Sequence, residues 1–226
     1  MTTTHPTPHP TSLPDADTFL RALLTTPAGR EYVLSIAVDA EEGDEAGLFD
    51  QIADAIDVPE LRRVVETHRD DEIRHASLYR ECLRRNGYTK RELPASLSLI
   101  AQLRDGAPRP APTLRTREDI MWFFALLHAI EERGVERFPA IADAFERHDP
   151  ATAETYRRVT RDERGHVRYC QRIGRHYAGS DEAWSSALAV TREIETAAFE
   201  RASLAQLEYC VAHGLVDPDL VLAAAR

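Results

Sequence analysis

An Asp-Glu-x-x-His motif occurs twice in the chain, at Asp71, Glu72 and His75 and again at Asp162, Glu163 and His166. A glutamate and a histidine three residues apart on a helix project from one face, so each copy offers a carboxylate and an imidazole to the same point. Upstream of each copy, by about thirty residues, stands a further glutamate, Glu42 before the first and Glu131 before the second. Two such pairs and two lone glutamates make the six-ligand set of a carboxylate-bridged di-metal centre inside a helical bundle. The chemistry expected of that set is oxygen or redox chemistry.

These residues need long helices to hold them. Alanine, leucine, glutamate and arginine dominate the 226 residues, and this mix favours an all-α fold. Residues 1–14, with repeated prolines, read as a disordered tail, and 15–226 as a single domain. Asp17 can cap a short lead-in helix, and Pro27 opens a long first helix over about 28–56, carrying Leu34, Val38, Leu48, Ile52 and Ile56. Asp57 and Pro59 restart the chain as a second helix over about 58–86, which Asn86 and Gly87 end. Its apolar stripe runs through Leu61, Val65, His68, Glu72, His75, Tyr79 and Cys82.

Prolines 94, 108, 110 and 112 break the pattern between 87 and 116, leaving room only for a short helix near 94–104. A connection of that length suits a crossover between the ends of a bundle. The third helix, about 117–147, aligns Ile120, Phe124, Leu127, Glu131, Phe138, Ile141 and Phe145; the fourth, about 150–178, aligns Tyr156, Val159, Glu163, His166, Cys170, Ile173 and Tyr177. A fifth, about 182–212, is expected to pack outside the bundle or to mediate a homodimer. Residues 28–178 are the expected four-helix core.

An internal repeat links the halves. The segment from Phe49 to Ile56 matches that from Phe138 to Phe145, and the same offset aligns Glu42 with Glu131, each seven residues before its phenylalanine. The repeat therefore favours Glu42 as the first-helix ligand over its neighbours Glu41 and Glu45. Glu132, the rival of Glu131, is out of phase with the core. Asp71 and Asp162 are candidates to accept the second N–H of a metal-bound imidazole, with a plain surface aspartate as the alternative. His68 and His128 each stand one turn before a motif glutamate; a hydrogen-bonded core histidine is the default reading for both, and an extra ligand or proton relay the alternative. Tyr79, Tyr156 and Tyr169 are candidate redox or supporting tyrosines, with packing as the default. Gly43, Gly47, Gly134 and Gly165 fall inside expected helices, either to open a pocket for oxygen or substrate or to let helices approach.

The order glutamate, Glu-x-x-His, glutamate, Glu-x-x-His over residues 28–178 resembles the ferritin-like di-iron carboxylate superfamily. The stretch from Asp71 to His75 also matches the Asp-Glu-x-Arg-His form of several oxygen-activating members, from which the second copy departs with Gly165 in place of arginine. The resemblance implies a ferritin-like four-helix bundle with a long crossover between the second and third helices and an additional C-terminal helix. It implies Glu42, Glu72, His75, Glu131, Glu163 and His166 as metal ligands, two iron ions per chain or a manganese/iron pair, and an external electron donor.

On that basis the expected function is a non-haem di-iron oxidase or monooxygenase that uses O₂ to oxidise a small organic substrate. A rubrerythrin-like peroxidase with an external donor is the alternative, and iron storage a further one, against which the fifth helix and the two full Glu-x-x-His pairs weigh. A formal net charge of −10 disfavours nucleic-acid partners. No run of apolar residues is long enough to cross a bilayer, and a cytoplasmic location is expected. Three widely spaced cysteines, Cys82, Cys170 and Cys210, read as buried free thiols rather than a disulfide framework or zinc ribbon.

Overall fold

A computed structural model describes residues 16–42, 45–106, 114–217 and 219, apart from the side chains of 45, 46, 105 and 106. The described residues are helical, with no strand among them. In chain order the α-helices are α1 (Ala16–Leu24), α2 (Pro27–Glu42), α3 (Glu45–Ala55), α4 (Pro59–Arg85), α5 (Leu99–Gly106), α6 (Arg117–Phe145), α7 (Pro150–Ala178) and α8 (Asp181–Ala212). A single 3₁₀ turn, Ala95–Leu97, precedes α5. No helix among the described residues is long and apolar enough to cross a membrane. The expected N-terminal tail and Gly43 lie outside the described residues.

The local rules that start and stop these helices are visible in the caps. Thr116 and Asp119 form a reciprocal capping box at α6: the Thr116 hydroxyl accepts from the Asp119 amide and the Asp119 carboxylate from the Thr116 amide, each at 3.0 Å. Asp149 caps α7 with Pro150 behind it, and Ser180 caps α8. Gly87 and Gly179 follow α4 and α7 with φ of 69° and 76°, the left-handed turn that lets the chain leave a helix.

The long first helix expected over about 28–56 is described as α2 and α3, with residues 43–44 outside the described residues. One expectation is corrected. Asp57 does not cap α4, whose N-cap is Val58 without a side-chain bond; instead the Asp57 carboxylate accepts a 2.5 Å bond from the Tyr177 hydroxyl at the far end of α7. The segment between α4 and α6 keeps its expected irregularity, but its 3₁₀ turn and α5 pack on α8.

Packing pairs α2 with α4, α6 with α7, and α4 with α7, while α8 covers α6. Two apolar clusters result. One gathers Leu34, Val38, Tyr79, Cys82, Phe145, Tyr156 and Val159. The other gathers Ile52, Val65, Phe124, Cys170, Ile173 and Trp184. Between them α4 contributes His68, Glu72 and His75, α6 contributes Glu131, and α7 contributes Glu163 and His166. Each of these helices passes from one apolar cluster to the other through a short polar stretch, so the polar residues form a belt across the interior. The three cysteines are free and buried.

Candidate metal centre

The belt holds two overlapping groups of potential ligands. His68, Glu72, Glu131 and His166 make one and Glu41, Glu72, His75 and Glu163 the other, the four ligand atoms within each group lying within 4.8 Å of one another. Five of the six residues singled out from the sequence, Glu72, His75, Glu131, Glu163 and His166, are therefore brought together. Glu42 is not.

Glu42 points outward at the end of α2 and pairs with Arg80 of α4. Its neighbour Glu41 enters the belt, with Oε2 3.4 Å from His75 Nδ1. The reason is helical phase. Glu41 lies three residues after Val38 and seven after Leu34, both fully buried on α2. The repeat selected Glu42 by counting back from Phe49, which aligns sequence positions without regard to the buried face that Leu34 and Val38 set on α2. The side chain of the other rival, Glu45, lies outside the described ones.

Both motif histidines are oriented alike. Each turns Nδ1 into the belt and Nε2 toward the aspartate of the opposite motif: His75 Nε2 is 3.3 Å from Asp162 Oδ2, and His166 Nε2 is 3.3 Å from Asp71 Oδ2. Arg74 ties the two aspartates together, donating to Asp71 at 2.5 Å and to Asp162 at 3.1 Å. One arginine thus serves both halves, which leaves Gly165 at its counterpart position without a missing role. Second acceptors of this kind set the tautomer and ring orientation of an imidazole whose other nitrogen binds a metal.

The carboxylates reach across the belt. Glu163 places Oε1 3.3 Å from His75 Nδ1 and Oε2 2.8 Å from His166 Nδ1, so its two oxygens face different imidazoles. Glu72 Oε1 lies 3.6 Å from His166 Nδ1, 4.0 Å from His75 Nδ1 and 2.7 Å from His68 Nε2. Glu131 sits between His68 and His166, at 3.4 and 3.7 Å.

Burial pushes carboxylates up and imidazoles down, but contacts inside the belt reverse several of these tendencies. Burial lowers His166, yet the adjoining Glu131 and Glu163 outweigh it and push its pKa up to about 11. Burial raises Glu163, and the adjoining His166 and His75 imidazoles more than compensate, holding it well below the usual carboxylate range. Glu131 is driven well above that range by burial and by the charge of Glu163.

His68, whose default reading was a hydrogen-bonded core histidine, belongs to the belt. His128 follows its default: Nδ1 meets the Val167 carbonyl at 3.0 Å and Nε2 the Glu132 carboxylate at 3.3 Å. Glu132 itself turns to Arg192 at 2.7 Å, away from the belt. The tyrosines flank the centre: Tyr169 packs edge-on to His68 and His166 at 5.3 and 5.8 Å, while Tyr79 and Tyr156 are fully buried together on the other side. Gly134 borders Glu163, for a Cβ there would lie 3.8 Å from Glu163 Cγ and 3.4 Å from the Phe138 ring.

The donor set fits a pair of divalent cations. Four carboxylates, Glu41, Glu72, Glu131 and Glu163, would carry −4, which two divalent ions cancel with all imidazoles neutral. His75 Nδ1, both nitrogens of His68 and Glu72 Oε1 are buried with no partner in hydrogen-bonding geometry. Buried polar atoms left so are costly unless something else occupies them. No family model, curated protein or solved structure matches the chain.

Proposed function

We propose that the belt is a carboxylate-bridged di-metal centre in a ferritin-like four-helix arrangement, and that the protein is an O₂-dependent oxidase or monooxygenase of a small organic molecule. The carrying observation is the pair of four-residue ligand groups that share Glu72. When bound, two iron ions would supply the electrons and coordination positions for reducing O₂. In a hydroxylation, one oxygen atom enters the substrate and the other leaves as water, with two electrons and two protons drawn from an external donor.

The chain's own contribution is positioning and exclusion. Glu41, Glu72, His75, Glu131, Glu163 and His166 would hold the ions, with Glu72 common to both ligand groups. Asp71 and Asp162 accept the outer N–H groups and keep each Nδ1 directed inward. Two apolar clusters close the belt above and below, which keeps bulk water from a reactive centre. Gly134 lets the Phe138 ring and Glu163 pack closely against the α6 backbone.

The test is anaerobic reconstitution of the purified chain with Fe(II), followed by metal counting and then exposure to O₂. Two tightly bound irons per chain, oxo-bridged di-iron absorption after oxygen, and loss of both in Glu163→Ala are expected. Fewer than two specifically bound ions, unchanged by Glu163→Ala, would overturn the di-metal reading. Rapid consumption of hydrogen peroxide with a reductase would replace the oxygenase with a peroxidase, and a shell-sized assembly holding many irons per chain would replace it with storage.

A further inference from the structure

We propose that His68 is a seventh ligand, and that it makes the two metal positions chemically unequal, one nitrogen-rich and selective for Fe(II), the other oxygen-rich and tolerant of Mn(II). This rests on the di-metal reading and concerns how the positions differ. The position bounded by His68, Glu72, Glu131 and His166 has two imidazoles and two carboxylates; that bounded by Glu41, Glu72, His75 and Glu163 has one imidazole and three carboxylates.

The case for His68 comes from comparing it with His128. Each stands one turn before a belt glutamate, yet His128 has a hydrogen-bonded ring nitrogen, Nδ1 on the Val167 carbonyl, with Nε2 3.3 Å from the Glu132 carboxylate. His68 has neither nitrogen in hydrogen-bonding geometry, although its side chain is fully buried and Nε2 lies 2.7 Å from Glu72 Oε1 and 3.4 Å from Glu131 Oε1. A ring whose nitrogen converges with two carboxylate oxygens without aligning on either is placed for a shared cation rather than for a proton acceptor. Its orientation is set by rings instead: it stacks on His166 at 3.7 Å and packs against Phe49 at 4.5 Å.

Divalent affinity of nitrogen donors rises from Mn(II) to Fe(II), whereas carboxylate oxygens accommodate Mn(II) well. The His68 position should therefore fill first with Fe(II), and discrimination against Mn(II) should be weaker at the His75 position.

The experiment titrates the metal-free full-length chain anaerobically with Fe(II), with Mn(II) and with equimolar mixtures, counting bound metal and following Mn(II) by paramagnetic resonance. Wild type should bind two ions in two separable steps and take up one Fe and one Mn from the mixture. His68→Gln should keep one step unchanged and weaken the other by at least the roughly 10- to 100-fold that loss of a mere supporting partner costs. His128→Gln should keep both steps. If wild type fails to bind two ions, the di-metal reading itself falls. If wild type binds two and a folded His68→Gln matches it in affinity and Fe/Mn ratio, only the present inference falls. Should His68→Gln not fold, ¹⁵N-histidine resonances of Zn(II)-loaded wild type decide: three metal-shifted ring nitrogens support His68 as a ligand, and two overturn it.

Discussion

His166 on α7 directs Nε2 to Asp71 on α4 at 3.3 Å, and the relationship is reciprocal, with His75 of α4 directed to Asp162 of α7 at the same distance. Each motif's aspartate therefore serves the other motif's histidine. Within one motif, aspartate and histidine are four residues apart and share a helix face, so a same-helix contact would have been the simple expectation. The exchange couples the two halves of the centre, and Arg74, bonded to both aspartates, couples them again.

Removal of Asp71 should then weaken the metal site held by the opposite helix. In Asp71→Ala, metal affinity is expected to fall about 10- to 100-fold, with stoichiometry restored at saturating metal. Competition against a chelator of known affinity measures it. An affinity equal to wild type would show that the 3.3 Å contact has no orienting role.

The neighbouring glutamates give a sharp contrast. Glu41→Ala is expected to lower the bound metal from two toward one per chain, because it removes a belt carboxylate. Glu42→Ala should leave the count at two and change stability by no more than about 1 kcal/mol, since it breaks only an exposed ion pair with Arg80. Metal analysis and urea unfolding of both variants test this. The opposite pattern would restore the assignment suggested by the repeat.

Asp149 joins two helices: it caps α7 through the Thr152 amide and hydroxyl and accepts from Asn86 and Arg85 at the end of α4. Burial raises its pKa, but those hydrogen bonds prevail and lower it from 3.8 to about 2. A folded value below the unfolded one means that its stabilisation is complete above about pH 4 and is lost as pH falls through about 2. Asp149→Ala should cost about 1–2 kcal/mol at neutral pH. Urea unfolding from pH 7 down to about pH 3 should show the gap between variant and wild type narrowing below about pH 4, and a constant gap would contradict the linkage.

Two glycines of α7 should respond oppositely to alanine. A Cβ on Gly174 would stand 2.0 Å from the Trp184 ring, so the substitution forces α8 away from α7, costing about 1–3 kcal/mol. At Gly165 the nearest atom is 3.9 Å away, on the flexible Arg168 side chain, and alanine should be neutral or stabilise by up to about 1 kcal/mol. Thermal melts of both variants make the comparison.

Helix identity and most of the belt are legible in local patterns. The Pro27, Pro59 and Gly87 signals, the buried stripes of α4, α6 and α7, and the three-residue spacing of each Glu-x-x-His pair depend on residues within a few turns, where helical geometry is the same in any fold. That is why Glu72, His75, Glu131, Glu163 and His166 could be picked out before any packing was known. What the sequence alone could not determine involves relations between helices. The repeat counts positions without regard to which face of α2 is covered, so the choice of Glu41 over Glu42 waited for α2 to dock on α4. The spacing of His68 and His128 is equivalent along their helices, and only the neighbours they meet, carboxylates on two sides for one and a backbone carbonyl for the other, separate them. Pairing of each aspartate with the opposite motif was decided by tertiary structure for the same reason: a side chain's direction along its helix follows from local geometry, but its partner depends on which helix packs against that face and at what height.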